Sequence, residues 1–211
     1  MKAIFKREFK SYFQNIIGWL YLAATIALYG LYFFVYNLNY GSSKVSYSLN
    51  AITFLFLITV PILTMRSLAE EQKSKTDQLI LTSPVSVGKI IAAKYLAMAA
   101  IHTIAVLVIG LTPLLLLCFG KVPLGEAYVA VAGFYLYGLT CIAIGLFVSS
   151  LTESQVISAV LTFVFLFLGY MMNGITSTFS ASGNILTKIL NCYDLVSPLD
   201  SFMDGCFSIT G

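Results

Sequence analysis

The stretch TMRSLAEEQKSKTDQLILTSPVSVGKIIAAK, residues 64–94, decides the fold, because it is the one long polar interruption in a hydrophobic chain. It holds five of the twelve Lys and Arg residues and three of the nine Asp and Glu residues. On either side the sequence reads as membrane. Of 211 residues, 59% are hydrophobic and 10% charged, and the mean hydropathy is +0.90, against roughly 25% charged residues in an average soluble domain. So few charges leave no room for a second, soluble domain. The apolar runs are continuous, which excludes the ten-residue polar–apolar alternation of a β-barrel. The expected class is an all-α integral membrane protein with one domain over residues 1–211, and segment 64–94 is where it meets something soluble.

Working outward, residues 1–15 place Ile4, Phe5, Phe9, Tyr12 and Phe13 at three- and four-residue spacing, with Lys2, Lys6, Arg7 and Lys10 opposite. That pattern suits an amphipathic helix in the headgroup plane, and equally a basic lead-in to a first span. Residues 16–36 follow; at 1.5 Å per residue they cover roughly 30 Å, the hydrocarbon thickness, and exceed a signal-peptide core. Further spans are expected at 51–65, with Pro61 inside, at 90–119, with Lys94 near its entrance and His102 and Pro113 within, at 124–148 and at 156–172. Residues 174–205 are polar and broken, and suit short amphipathic helices.

Basic residues set the orientation. The N-terminal arm carries four and segment 64–94 five, which makes nine on one side; Lys44, Lys121 and Lys188 make three on the other. The positive-inside rule then puts the N-terminus and segment 64–94 in the cytoplasm of a multi-pass protein of the cell membrane.

Within 64–94, Ser67 followed by Glu70 is a capping-box pattern, and Glu71 adds a second acid to the positive end of the helix dipole. The expectation is a helix over 67–82, stopped by Pro84, with Ser86 capping the helix that enters the next span. A solvated connecting loop is the plain alternative.

At these residues a resemblance enters. VPILTMRSLAEEQKSKTDQLILTSPVS, residues 60–86, resembles the signature of ABC-2 type transporter permeases at Pro61, Thr64, Met65, Arg66, Glu70, Glu71, Leu79, Leu81, Ser83 and Pro84. The nearest branch is similar to gliding-motility and nitrous-oxide-reductase-maturation permeases. FKREFKSYF, residues 5–13, resembles the family's amphipathic connecting helix, and SSLTESQVISAVLTFVF, residues 149–165, its turn into the fifth span. The sequence departs at Lys75, where the family often has Gly, and at Asp77 and Gln78, which replace an apolar–Glu pair.

The resemblance implies an ABC-2 type, type V exporter-like half-channel, with five spans present and a sixth expected after Gly211. It implies that the chain is the permease subunit of an exporter and lacks an ATPase site. ATP and Mg would be bound by a separate cytoplasmic ABC ATPase subunit, and the half-channel would be completed by an identical chain or a paralogue. The loop at 67–82 would be the coupling helix, with Glu70, Glu71, Lys73, Lys75 and Asp77 as charge partners of the ATPase and Leu79 and Leu81 as apolar contacts. Arg66 would anchor a hinge or bind a lipid phosphate. Lys6, Arg7, Glu8 and Phe9 would belong to the interfacial helix, with Glu8 pairing a base on the neighbouring loop.

Other chemistries lack a basis in the sequence. No P-loop G-x-x-x-x-G-K-[ST] occurs, and no G-x-S-x-G. One histidine, His102, cannot build a His-based zinc site. It suits a hydrogen-bonded bundle residue, or a proton relay in an ATP-independent transporter, the alternative to the ABC reading along with an assembly scaffold. Cys118 and Cys141 read as packing residues, while Cys192 and Cys206 could form a disulfide. Ala93, Ala97, Gly133, Gly138 and Gly145 let helices approach closely. No residue identifies the cargo.

Overall fold

In a computed structural model, residues 2–73, 86–179 and 194–203 are described, with residues 2, 3 and 173–179 described as backbone alone. The basic arm forms α1 (Lys2–Gln14) and turns at Asn15 into α2 (Ile16–Phe33), which continues as a wider π-type turn over Phe34–Asn39. The turn between α1 and α2 is tight: Gly18 lies against the backbone of Tyr12, where a side chain would collide with its carbonyl. Next come α3 (Ser46–Thr64), α4 (Ala69–Lys73), α5 (Val87–Gly110), α6 (Thr112–Leu117), α7 (Leu124–Ser149), α8 (Gln155–Phe179) and α9 (Ser197–Met203).

Five of these stretches are long and apolar enough to cross a membrane: Ile16–Asn39, Ser46–Lys73, Val87–Leu117, Leu124–Ser149 and Gln155–Met172. The chain is an all-helical, multi-pass membrane protein. α3 is the hub and packs on α2, α7 and α8, while α7 also receives α5 and α9. Phe56, Leu57, Val60 and Leu63 of α3 meet Met98 and Ile101 of α5 and Phe134 and Ile142 of α7 in one buried cluster. Among helices in lipid, close fit replaces water exclusion as the driving force.

Several element bounds differ from the sequence expectation, each for a local reason. α3 starts at Ser46 and not at 51, inside the polar loop, because Asn37 organises that loop. Its amide donates to the Ser42 and Lys44 carbonyls at 2.7 and 3.1 Å, and its oxygen accepts from Ser48 Oγ at 2.6 Å. Pro61 sits within α3 without ending it. α5 begins at Val87, so Lys94 lies two turns inside the helix and not at its mouth. The same span is interrupted at Leu111 ahead of Pro113, and Tyr29 Oη bonds Thr112 Oγ1 at 2.7 Å across the break. α8 runs on through Phe179, past the apolar stretch, so residues 174–179 continue this helix. Polarity takes a segment out of hydrocarbon; it does not by itself end a helix. Cys141 is buried, but Cys118 is exposed and so packs against little. Cys192 and Cys206 lie outside the described residues.

Candidate functional site

The charged end of the bundle is held together by one side chain, Lys94. It projects from the second turn of α5 and is 2% exposed. An ammonium has three N–H donors, and three oxygens surround it. Nζ donates to the Ser67 carbonyl at 3.0 Å and to Glu71 Oε1 at 2.7 Å, and Glu8 Oε2 stands at 3.4 Å. These oxygens come from α4, the turn before it, and α1. Arg7 closes the group, at 2.7 Å from Glu8 and 3.9 Å from Glu71. Two bases and two acids make a neutral quartet, the condition under which charges can be removed from water.

Segment 66–73 is fixed on its other side by α7. Ser149 Oγ, fully buried, accepts the backbone N–H groups of Leu68 and Ala69, each at 3.2 Å, and Gln72 Nε2 donates to the Ser150 carbonyl at 2.9 Å. Gly145 gives the space for this: the Thr64 side chain lies where a Cβ would be. The expected capping box is therefore replaced. α4 starts at Ala69, its cap comes from Ser149, and Glu70 forms a forked pair with Arg66 one turn back, with one arm at 2.8 Å. Downstream, Ser86 precedes α5 in extended geometry but makes no side-chain cap bond.

Tyr12 of α1 lies under the quartet, 7% exposed. Burial pushes its phenol up from the usual range, partly offset by Ser67 beside it, with the Glu8 carboxylate adding to the rise. α1 also carries an aromatic ladder, with ring centroids at 5.9 Å for Phe5–Phe9, 4.9 Å for Phe9–Phe13 and 5.4 Å for Phe13–Trp19.

The sequence-derived residues thus separate. Arg7, Glu8 and Glu71 come together around Lys94, while Arg66 and Glu70 pair with each other; the base that meets Glu8 from a neighbouring element is Lys94, and Glu71 is turned inward toward it. Lys73 and Lys6 are exposed, and Phe9 stacks within α1. Lys75, Asp77, Leu79, Leu81 and Pro84 lie outside the described residues. Lys94, Ser149, Ser150 and Tyr12 are named in the sequence reading without a role in this site. For Lys94 a signal existed, because a single cation inside an apolar helix needs a partner. For Ser149 none did, since its partners are about 80 residues away.

His102 occupies a second polar island, deeper in α5. Its Nδ1 shares a 2.9 Å hydrogen bond with Tyr21 Oη, and its ring lies parallel to Tyr135 at 5.7 Å and tilted to Phe56 at 5.4 Å. Nε2 is buried with no hydrogen-bond partner among the described residues and rests on Gly138, where a Cβ could not fit. Among the described residues no His, Cys, Asp or Glu cluster could hold a metal.

A family profile described as "ABC-2 family transporter protein" matches residues 32–207. The chain belongs to this family. No curated protein and no solved structure matches it significantly. The match takes in Glu71, Lys94 and Ser149 but not α1. An ABC-2 permease domain has no ATPase activity itself, and such permeases generally pair with an ABC ATPase. The quartet thus joins a helix before the matched region to two elements inside it.

Proposed function

We propose that this ABC-2 membrane domain is the permease subunit of an exporter in the cell membrane, with its N-terminus and segment 64–94 in the cytoplasm. A separate ABC ATPase would bind ATP and Mg and push on that segment. An identical chain or a paralogue would complete the pathway. The motif at 60–86 favours the branch similar to gliding-motility and nitrous-oxide-reductase-maturation permeases. The observation that carries the reading is the fastening of residues 66–73. They hold α5 through Lys94, α7 through Ser149 and Ser150, and α1 through Glu8. A displacement there cannot be absorbed locally and reaches two spans at once, which is what a transmission element requires. Glu71 serves the internal clamp in this mechanism, leaving Glu70, Lys73 and residues 74–85 to meet the ATPase.

The test is co-purification in mild detergent with each ABC ATPase encoded in the same genome, followed by ATPase assays in vesicles. Retention of one ATPase by the wild type, and a hydrolysis rate that responds to the chain, support the reading. Lys94→Met should keep the ATPase bound yet abolish that response. If the wild type binds no ATPase, the exporter reading fails. An ATP-independent transporter, for which the fully buried His102 inside a span is the specific observation, would then be tested by His102→Gln in a proton-flux assay.

A further inference from the structure

An open apolar groove of about 530 Å³ runs between α1, α5 and α7, lined by Phe5, Ala93, Leu96, Ala100, Thr103 and Tyr135. Its α5 wall is one stripe, since positions 93, 96, 100 and 103 recur at three- and four-residue spacing. The alanines make it concave, and Leu96 along it is 49% exposed. From Ala93 to Thr103 the stripe is roughly 15 Å long at 1.5 Å per residue, half of the roughly 30 Å hydrocarbon core. The groove is therefore one leaflet deep. At its floor Thr103 Oγ1 donates to the Ala99 carbonyl at 2.7 Å and pairs with Tyr135 Oη at 3.2 Å, so the polar groups there are already satisfied.

The mouth is basic. Lys89 precedes Ala93 by one turn on the same stripe, and is exposed and without an ion pair among the described residues. Neighbouring Arg7, Arg66 and Lys94 all have carboxylates. A slot one leaflet deep, apolar to its floor and cationic at its rim, complements a molecule with an anionic head and an acyl tail.

We propose that this groove is a binding site for one anionic phospholipid of the leaflet at the charged end, its acyl chain along Ala93, Leu96 and Ala100 and its phosphate on Lys89. The lipid would join α1 to α5 on the membrane side, as Lys94 joins them within the protein.

The test places the full-length chain in vesicles with phosphatidylglycerol carrying a diazirine at the end of one acyl chain, or with phosphatidylcholine carrying the same tail. Cross-linked residues are mapped by peptide mass spectrometry. Phosphatidylglycerol should label Ala100, Thr103 and Tyr135 several-fold more than phosphatidylcholine. Lys89→Gln, on the surface and harmless to folding, should cut that excess about fivefold, the worth of one basic residue at an anionic interface. Ala100→Phe should fill the groove and remove this label while labelling at the exposed Val160 persists. Equal labelling by both headgroups, or labelling unchanged by Lys89→Gln, would overturn the proposal. So would a chain-to-chain disulfide through Leu96→Cys, which would give the face to a second copy.

Discussion

α5 buries two basic side chains eight residues apart, Lys94 and His102, and surrounds them in opposite ways. Lys94 meets two carboxylates and a carbonyl, donating to Glu71 and the Ser67 carbonyl and ion-paired with Glu8. His102 meets a phenol and aromatic rings, with its second nitrogen against bare backbone. The difference shows what each level of the bundle is built to carry. At the charged end, interactions are directional and come from three separate elements, so the site fixes the relation between them. In the middle, fit by shape dominates, and the polar atoms are nearly incidental to the packing.

The comparison breaks most severely if Lys94 loses its charge. Lys94→Met leaves Glu8 and Glu71 facing each other with one base gone, and should destabilise the chain by about 3 kcal/mol, as for one partner removed from a buried pair. Thermal unfolding in detergent measures this, and Lys94→Met combined with Glu8→Gln and Glu71→Gln should recover most of it. The middle island should fail by a different route. Gly138→Ala drives a methyl into the imidazole and should cost about 2 kcal/mol, the range for overpacking, whereas His102→Phe with Tyr21→Phe should stay within about 1 kcal/mol of wild type. If the paired phenylalanines cost more than the alanine, His102 is held by polarity and the contrast collapses.

Smaller effects sharpen the picture. Ser149→Ala removes the cap of α4 and should cost about 1 kcal/mol, read as faster hydrogen exchange at Leu68 and Ala69. Tyr12 gives a pH dependence. Its folded pKa is raised, so its contribution is complete below the unfolded value near 10 and declines as pH rises above it, because the unfolded phenol ionises first. Unfolding midpoints should fall from pH 9 to pH 11, and Tyr12→Phe should flatten that slope.

Much of this architecture was legible in the sequence. Continuous apolar runs announce helices in lipid, and the polar segment at 64–94 announces its own importance. What stayed hidden depends on distance along the chain. Glu71 on an exposed-looking charged segment reads as a partner contact, and nothing nearby says that Lys94, 23 residues on, will claim it. Ser67 reads as a cap by the local rule, yet a serine from the far end of α7 takes the role. The start of α3 escaped because Asn37 acts across a loop that hydropathy marks only as polar.

The cap on α4 has one more consequence. The first amides of a helix have no partner inside it. The first amides of this helix are satisfied by a side chain from another part of the chain, and its fourth residue, Gln72, is tied to the same place. The start of the helix is therefore conditional on a tertiary contact. When α7 moves away, this first turn should fray, and when α7 returns, it should form again. The Ala69 amide is thus a built-in gauge of engagement: its exchange rate reports, from a single position, whether the segment and the span are in gear.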